Sequence, residues 1–426
     1  MNLKFTYIIT LALSLAACSA DKEPPPQEIF SEENPVYMSF SVSFENGGTK
    51  AGTRAEVPSA PPGAVDWGNL DKDRPGNEFE SVLLSENFRP VLVEADNYQN
   101  IAGEFKILSY WETKEDGVTT YTIHGSFKPE DRYKEPDELR KAHLKLMVFA
   151  NTPSDALDIP NNEFDKLTFD YISNEDAFDS TKDDAGNEGF AAIPMWGVCP
   201  VDLSSAKPGS YTLINPTTPC ALLRAMAKVE VRLALKGTPQ ENTDVRLLSV
   251  EMNRVNNRGN VTPGKWDEIS ATTVLKLEDT MRENTDNQAT GTTDTDGTVL
   301  SNPYVNQKVR VDKEGNQYIS FYIPEISNVK QAITEGSNLA KDALELTINY
   351  KIGENGQVKS NHLYFTPYSG GGPAKDASGA YQIGDWNVIR NHIYEYKITG
   401  VQDSKITVEA RVKDWQYHKS SVDLEE

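Results

Sequence analysis

The sequence predicts an all-β chain built as two β-sandwich domains with a few short helices. Three observations predict it. Thr, Val, Ile and Tyr recur in short runs that alternate apolar with polar, the period of a half-buried strand. Pro, Gly, Asn and Asp punctuate those runs too often for long helices. The 426 residues exceed the commonest domain size roughly threefold, which is length enough for more than one core.

The elements follow in order. Lys4, an apolar stretch from Phe5 to Ala17 and then Cys18 make a segment too short and wrongly flanked for a membrane span, and it reads as a secretory signal over residues 1–18. Its ending, Leu15-Ala16-Ala17-Cys18, resembles a bacterial lipobox, in which lipid is attached to the Cys thiol before cleavage exposes that residue. Residues 19–54 begin as a Pro- and Glu-rich tether with little to bury. The period then changes. Val36, Met38, Phe40, Val42 and Phe44 fall on one face of a strand, and Tyr37, Ser39, Ser41 and Ser43 on the other. The run GGTKAGTRAEVPSAPPG that follows holds Lys50 and Arg54 and is expected to be exposed enough to enter a protease cleft.

A first domain is expected over residues 55–219, with strands at Glu80–Leu84, Phe88–Glu94, Glu104–Tyr110, Thr119–Ser126 and Leu144–Ala150. A short helix over Pro136–His143 carries Pro at its first position. Residues 171–189 read as an acidic surface loop. A second domain is expected over residues 220–426, opening on ALLRAMAKVEVRLAL, with strands at Gln317–Tyr322, Ala343–Lys351, Lys359–Phe365, Val388–Ile398 and Lys405–Val412. Residues 283–302 form a polar loop or insertion. Past Asp414 the apolar positions continue at Trp415, Tyr417, Val422 and Leu424, so 405–424 is a second extended segment at the far end of the chain.

Chemistry is sought and not found. The five histidines are scattered, no HExxH, GxSxG, Walker loop or dinucleotide fingerprint occurs, and no enzyme activity, cofactor or metal is expected. Asp294-Thr295-Asp296-Gly297 is only a fragment of a calcium loop, because Thr292 and Pro303 stand where its end ligands would be. Cys199 and Cys220, each beside a proline, are open to two readings, a disulfide or two buried thiols. A formal charge of −22 repels phosphate backbones, which excludes nucleic acid as a partner.

The two ends together point to function. A buried first strand upstream of a cut site would, if removed, open a groove whose vacated edge favours an incoming strand. Head-to-tail contacts of that kind generate filaments. Here the residues reach a resemblance: the chain is similar to the fimbrillins of type V pili, the major and minor fimbrillin lipoproteins. The matching segments are the lipobox at Cys18, TRAE at Thr53 to Glu56, LKLMVFANT at 144–152, IPMWG at 193–197, LLRAMAKVEVRL at 222–233, WNVIRNHIYEYKITG at 386–400 and ITVEARVKDW at 406–415.

The resemblance implies two β-sandwiches of transthyretin-like topology. It also implies lipidation at Cys18, cleavage between Arg54 and Ala55 by an Arg-specific protease, and a placeholder strand of Val36, Met38, Phe40, Val42 and Phe44. A C-terminal donor strand would carry Ile406, Val408, Ala410, Val412, Trp415, Tyr417, Val422 and Leu424. The implied partners are other fimbrial subunits in a head-to-tail polymer, the protease, the outer membrane through a transient lipid anchor, and a host or bacterial surface receptor. The implied location is a cell-surface fimbrium. The connection Gly400 to Ser404 is shorter than in many stalk members. A tip or accessory adhesin, and a permanently lipidated glycan-binding protein or hydrolase, are the competing functions.

Overall fold

The computed structural model describes residues 35–43, 83, 87–115, 118–152, 164, 167–170, 181–182, 188–189, 193–215, 219–252, 255, 258–263, 304–312, 315–326, 345–364, 388, 390–403 and 405–414. They are almost entirely β. The earlier half of the chain contributes β1 (Val36–Ser43), β2 (Phe88–Glu94), β3 (Asn97–Ile101), β4 (Gly103–Glu115), β5 (Val118–Pro129), α1 (Pro136–Lys141), β6 (Leu144–Ala150), β7 (Thr168–Asp170), β8 (Thr181–Lys182) and β9 (Glu188–Gly189). It continues with β10 (Met195–Pro200), β11 (Tyr211–Leu213), β12 (Cys220–Ala221) and β13 (Leu223–Arg224). One sheet runs β11-β1-β5-β4 with β12 also on β1, and the other runs β13-β10-β6-β2-β3.

Their buried faces meet in a core. Val91, Val93, Leu146, Val148, Met195 and Trp196 are among its buried side chains, and the Phe40 and Phe88 rings stack across it at 6.3 Å. β5 must bend closely over β4 at Gly125, where an added Cβ would lie 2.2 Å from Phe105 Cε1. Pro136 occupies the first turn of α1, Asp137 and Glu138 lie at its positive end, and only Leu139 is buried.

The later half contributes β14 (Met226–Leu233), β15 (Val245–Met252), β16 (Arg258–Asn260), β17 (Tyr304–Asn306), β18 (Arg310–Val311), β19 (Gln317–Pro324), β20 (Glu345–Ile352), β21 (Lys359–Tyr364), β22 (His392–Gln402) and β23 (Lys405–Asp414). One sheet runs β18-β19-β14-β22-β23 and the other β17-β15-β20-β21. In β14, Val229 and Val231 face the core while Lys228, Glu230 and Arg232 fall on the opposite face and pair along it, Arg232 Nη2 to Glu230 Oε1 at 3.1 Å and Arg232 also to Asp312. Burial of those charges is offset by pairing and by the Lys228 and Arg232 heads over the Tyr322 and Tyr318 rings.

Among the described residues the only ladder joining the halves is β7 with β16. Beside it Arg390, 1% exposed, forks onto Glu325 at 2.8 and 2.7 Å and donates to the carbonyls of Asn260, Val261 and Thr262.

β12 and β13 pair with β1 and β10, so residues 220–224 lie in the sheets of the earlier half. Other elements differ from expectation. The acidic segment 171–189 contains the two-residue ladder β8–β9. Val388 forms an isolated bridge with Ile326, and β22 begins only at His392, because Asn391 takes a left-handed φ of 56° that breaks the extended run. The strand expected at Glu80–Leu84 lies, Leu83 apart, outside the described residues, as does the 283–302 segment.

Candidate strand groove around β1

β1 is a central strand, although it is the first among the described residues. On one edge all eight residues pair antiparallel with β5, from Val36 opposite Phe127 to Ser43 opposite Thr120. On the other edge β11 pairs parallel with Tyr37, Met38 and Ser39, and β12 pairs parallel with Val42 and Ser43. Between and beyond those short strands the edge is completed by single contacts. Gly209 N donates to Pro35 O at 3.2 Å, Ile214 N to Ser39 O at 2.9 Å and Leu222 N to Ser43 O at 2.8 Å. Opposite Ser41 the partner is a side chain. Ser41 N donates to Asn215 Oδ1 at 2.9 Å, and Asn215 Nδ2 donates to Ser41 O at 2.8 Å.

The alternation predicted for this strand is realised in its packing. Val36, Met38, Phe40 and Val42 are each 0% exposed. The Phe105 ring meets Phe40 edge-on at 5.4 Å, in addition to the stack with Phe88. Four such side chains stabilise the fold by about 6–12 kcal/mol as an upper bound, from roughly 1.5–3 kcal/mol each. Phe44 lies outside the described residues. On the outer face Tyr37 packs on Tyr211 at 5.0 Å, and His124 sits between Trp111 at 4.1 Å and Tyr211 at 5.1 Å. Burial holds the His124 imidazole below its ordinary range.

The two cysteines come together beside this groove. Cys220 lies in β12 opposite Val42, Cys199 lies in β10, and both are buried free thiols. The hydrogen bond between them, and then burial, raise the Cys220 thiol well above its usual range. Asn215 Nδ2 also reaches Cys199 Sγ at 3.8 Å.

The C-terminal donor candidate sits elsewhere. β23 is the edge strand of its sheet and pairs with β22 from Gln402 opposite Lys405 to His392 opposite Asp414, interrupted by a bulge at Ile398 to Gly400. Ile406 is buried and its N–H donates to Tyr350 Oη at 3.3 Å, Val408 is half-buried, and Ala410 and Val412 stand opposite Tyr396 and Tyr394. Cys18, Arg54, Ala55, Trp415, Tyr417, Val422 and Leu424 lie outside the described residues. Sequence reasoning missed Asn215 and both short strands, since an Asn before Pro216 reads as an ordinary turn.

No protein-family model matches the chain, and no curated protein matches its sequence. Among solved structures it is similar to the tip fimbrial protein Mfa3 of Porphyromonas gingivalis with C-terminal truncation, at 13% identity and a TM-score of 0.45, over 89% of this chain and 99% of that one. It is also similar to a fimbrilin of P. gingivalis W83, at 13% identity and a TM-score of 0.40, over 90% of this chain and 99% of that one. What the comparison gives is similarity to fimbrial proteins in an all-β architecture.

Proposed function

We propose that the chain is a structural, non-catalytic subunit of a cell-surface fimbrium. It is exported as an outer-membrane lipoprotein through Cys18, cut between Arg54 and Ala55, and joined head to tail when a strand of a neighbouring subunit replaces β1. The observation that carries this reading is the position of β1. It fills the middle of a sheet with four fully buried side chains, yet it is the first strand among the described residues and precedes the Arg54 segment in sequence. A single cut at Arg54 therefore leaves a central strand held by no covalent bond to the body. The body is divided, in this proposal, into two sandwiches over residues 55–219 and 220–426, a reading supported by the change of pairing from β13 with β10 to β14 with β19 just past that boundary.

The test is limited Arg-specific proteolysis of purified protein, with Arg54→Ala as the control. A new N-terminus at Ala55 followed by growth into high-mass ladders is the expected result. An Arg54 that resists cleavage would overturn it. One observation favours a tip or accessory subunit as the second reading: β23 is paired along its length within its own sheet. Cleavage at Ala55 with no growth would select that role.

A further inference from the structure

Asn215 stands in the rail of the groove where the main chain does not. β11 pairs with β1 as far as Ser39, and β12 begins at Val42. Phe40 and Ser41 lie between. Peptide groups alternate sides along a strand, so Ser41, whose N and O both meet Asn215, faces this rail and Phe40 faces β5. One residue therefore needs partners at the gap. Asn215 is suited to it because a carboxamide carries one acceptor and two donor hydrogens, as a peptide group carries an acceptor and a donor. Its oxygen takes the Ser41 N–H, and one amide hydrogen goes to Ser41 O. The other hydrogen faces Cys199 Sγ at 3.8 Å, and the Ser41 N–H, which only the amide oxygen can accept, fixes which way round the amide lies. The residue is 6% exposed.

We propose that Asn215 is the positioning residue of the groove, a side-chain rung that reads the main chain of whatever strand occupies it. The proposal rests on the strand-replacement reading given above. Both contacts are to backbone, so Asn215 accepts any side chain at that place but rejects proline, which has no N–H. Parity is set by the core-facing side chains, because a strand slipped by one residue along its two-fold screw still offers a main-chain N–H and C=O to Asn215 while exchanging inner for outer side chains. The entering strand must therefore offer an amide N–H two residues before the position that Ser43 now holds.

Two measurements test it. In the intact chain, where β1 is itself the occupant, amide hydrogen exchange is compared between wild type and Asn215→Ala. The Ser41 amide is expected to exchange roughly tenfold faster or more in the variant, the scale of one lost buried hydrogen bond, while Phe40 and Val42, facing β5, change less. Asn215→Asp, which accepts but cannot donate, keeps part of the Ser41 protection. Equal Ser41 protection in wild type and Asn215→Ala overturns the proposal.

In the second measurement the chain is cut at Arg54, and uptake is followed for a labelled peptide of residues 34–45, unmodified or N-methylated at Ser41. N-methylation is expected to weaken uptake about tenfold in wild type and to add almost nothing in Asn215→Ala. An equal penalty in both proteins means that the methyl group acts by bulk, which also overturns the proposal. A cut chain that takes up no unmodified peptide refutes strand replacement instead, and the exchange data still decide the role of Asn215.

Discussion

Replacing Phe40 with alanine tests how far β1 belongs to the core. The ring is fully buried, stacked on Phe88 at 6.3 Å and met edge-on by Phe105 at 5.4 Å. Truncation removes the transfer free energy of the ring, leaves a cavity between two sheets and breaks both ring pairs. Buried Phe→Ala changes cost about 3–5 kcal/mol. The internal control is Tyr37→Ala, one residue away on the same strand but on the outer face, where a single ring contact with Tyr211 is worth about 0.5–1.5 kcal/mol. The assay is urea denaturation followed by a probe in the earlier half. With a slope of about 2 kcal/mol/M, Phe40→Ala lowers the midpoint by about 1.5–2.5 M and Tyr37→Ala by well under 1 M. In protein cut at Arg54 the same change weakens retention of the β1 fragment by roughly two to four powers of ten. Equal midpoints for the two variants, or a loss below about 1 kcal/mol for Phe40→Ala, would refute the placement of β1 as a core strand.

Three further perturbations follow from the packing. Gly125→Ala places a methyl 2.2 Å from Phe105 Cε1 and 2.6 Å from Lys106 O, and is expected to cost about 1–3 kcal/mol through displacement of β4, measured by thermal denaturation. Arg390→Met strands the Glu325 carboxylate, itself 1% exposed, and is expected to destabilise by about 3–5 kcal/mol, whereas Arg390→Met with Glu325→Leu recovers part of the loss. His124 has a folded pKa held down by burial, so the unfolded chain takes up its proton first as pH falls. Stability then declines as pH drops through the ordinary imidazole range near 6.5, and a urea midpoint series in His124→Gln should lose that part of the slope.

The fold class was legible because β strands with one buried face write their burial into alternate residues. β1, β2, β6 and β19 have runs of Val, Ile, Leu, Met and Phe long enough to stand out against their polar neighbours. β15 was missed although its burial alternates, since Leu247, Leu248 and Ser249 straddle a register shift that disturbs the period. The groove itself was half legible. Its occupant could be read from one strand, but its far rail is made of β11, β12 and Asn215, pieces of one to three residues too short to show a period. Asn215 lies 174 residues from Ser41 in sequence, and nothing local announces such a contact. β12 and β13 were missed as strands for the same reason. Cys220–Ala221 and Leu223–Arg224 adjoin the later β14 in sequence, yet their partners in space are β1 and β10.

The fate of the β1 fragment tests the central claim most directly. Protein is cut at Arg54, assemblies are separated from monomer by size, and the content of the peptide carrying residues 36–44 is measured in each by mass spectrometry. Strand replacement predicts that monomer retains about one fragment per chain and that assembled subunits have lost it, in step with their growth. Assemblies that still hold one fragment per subunit would contradict the account, because the groove would never have been vacated.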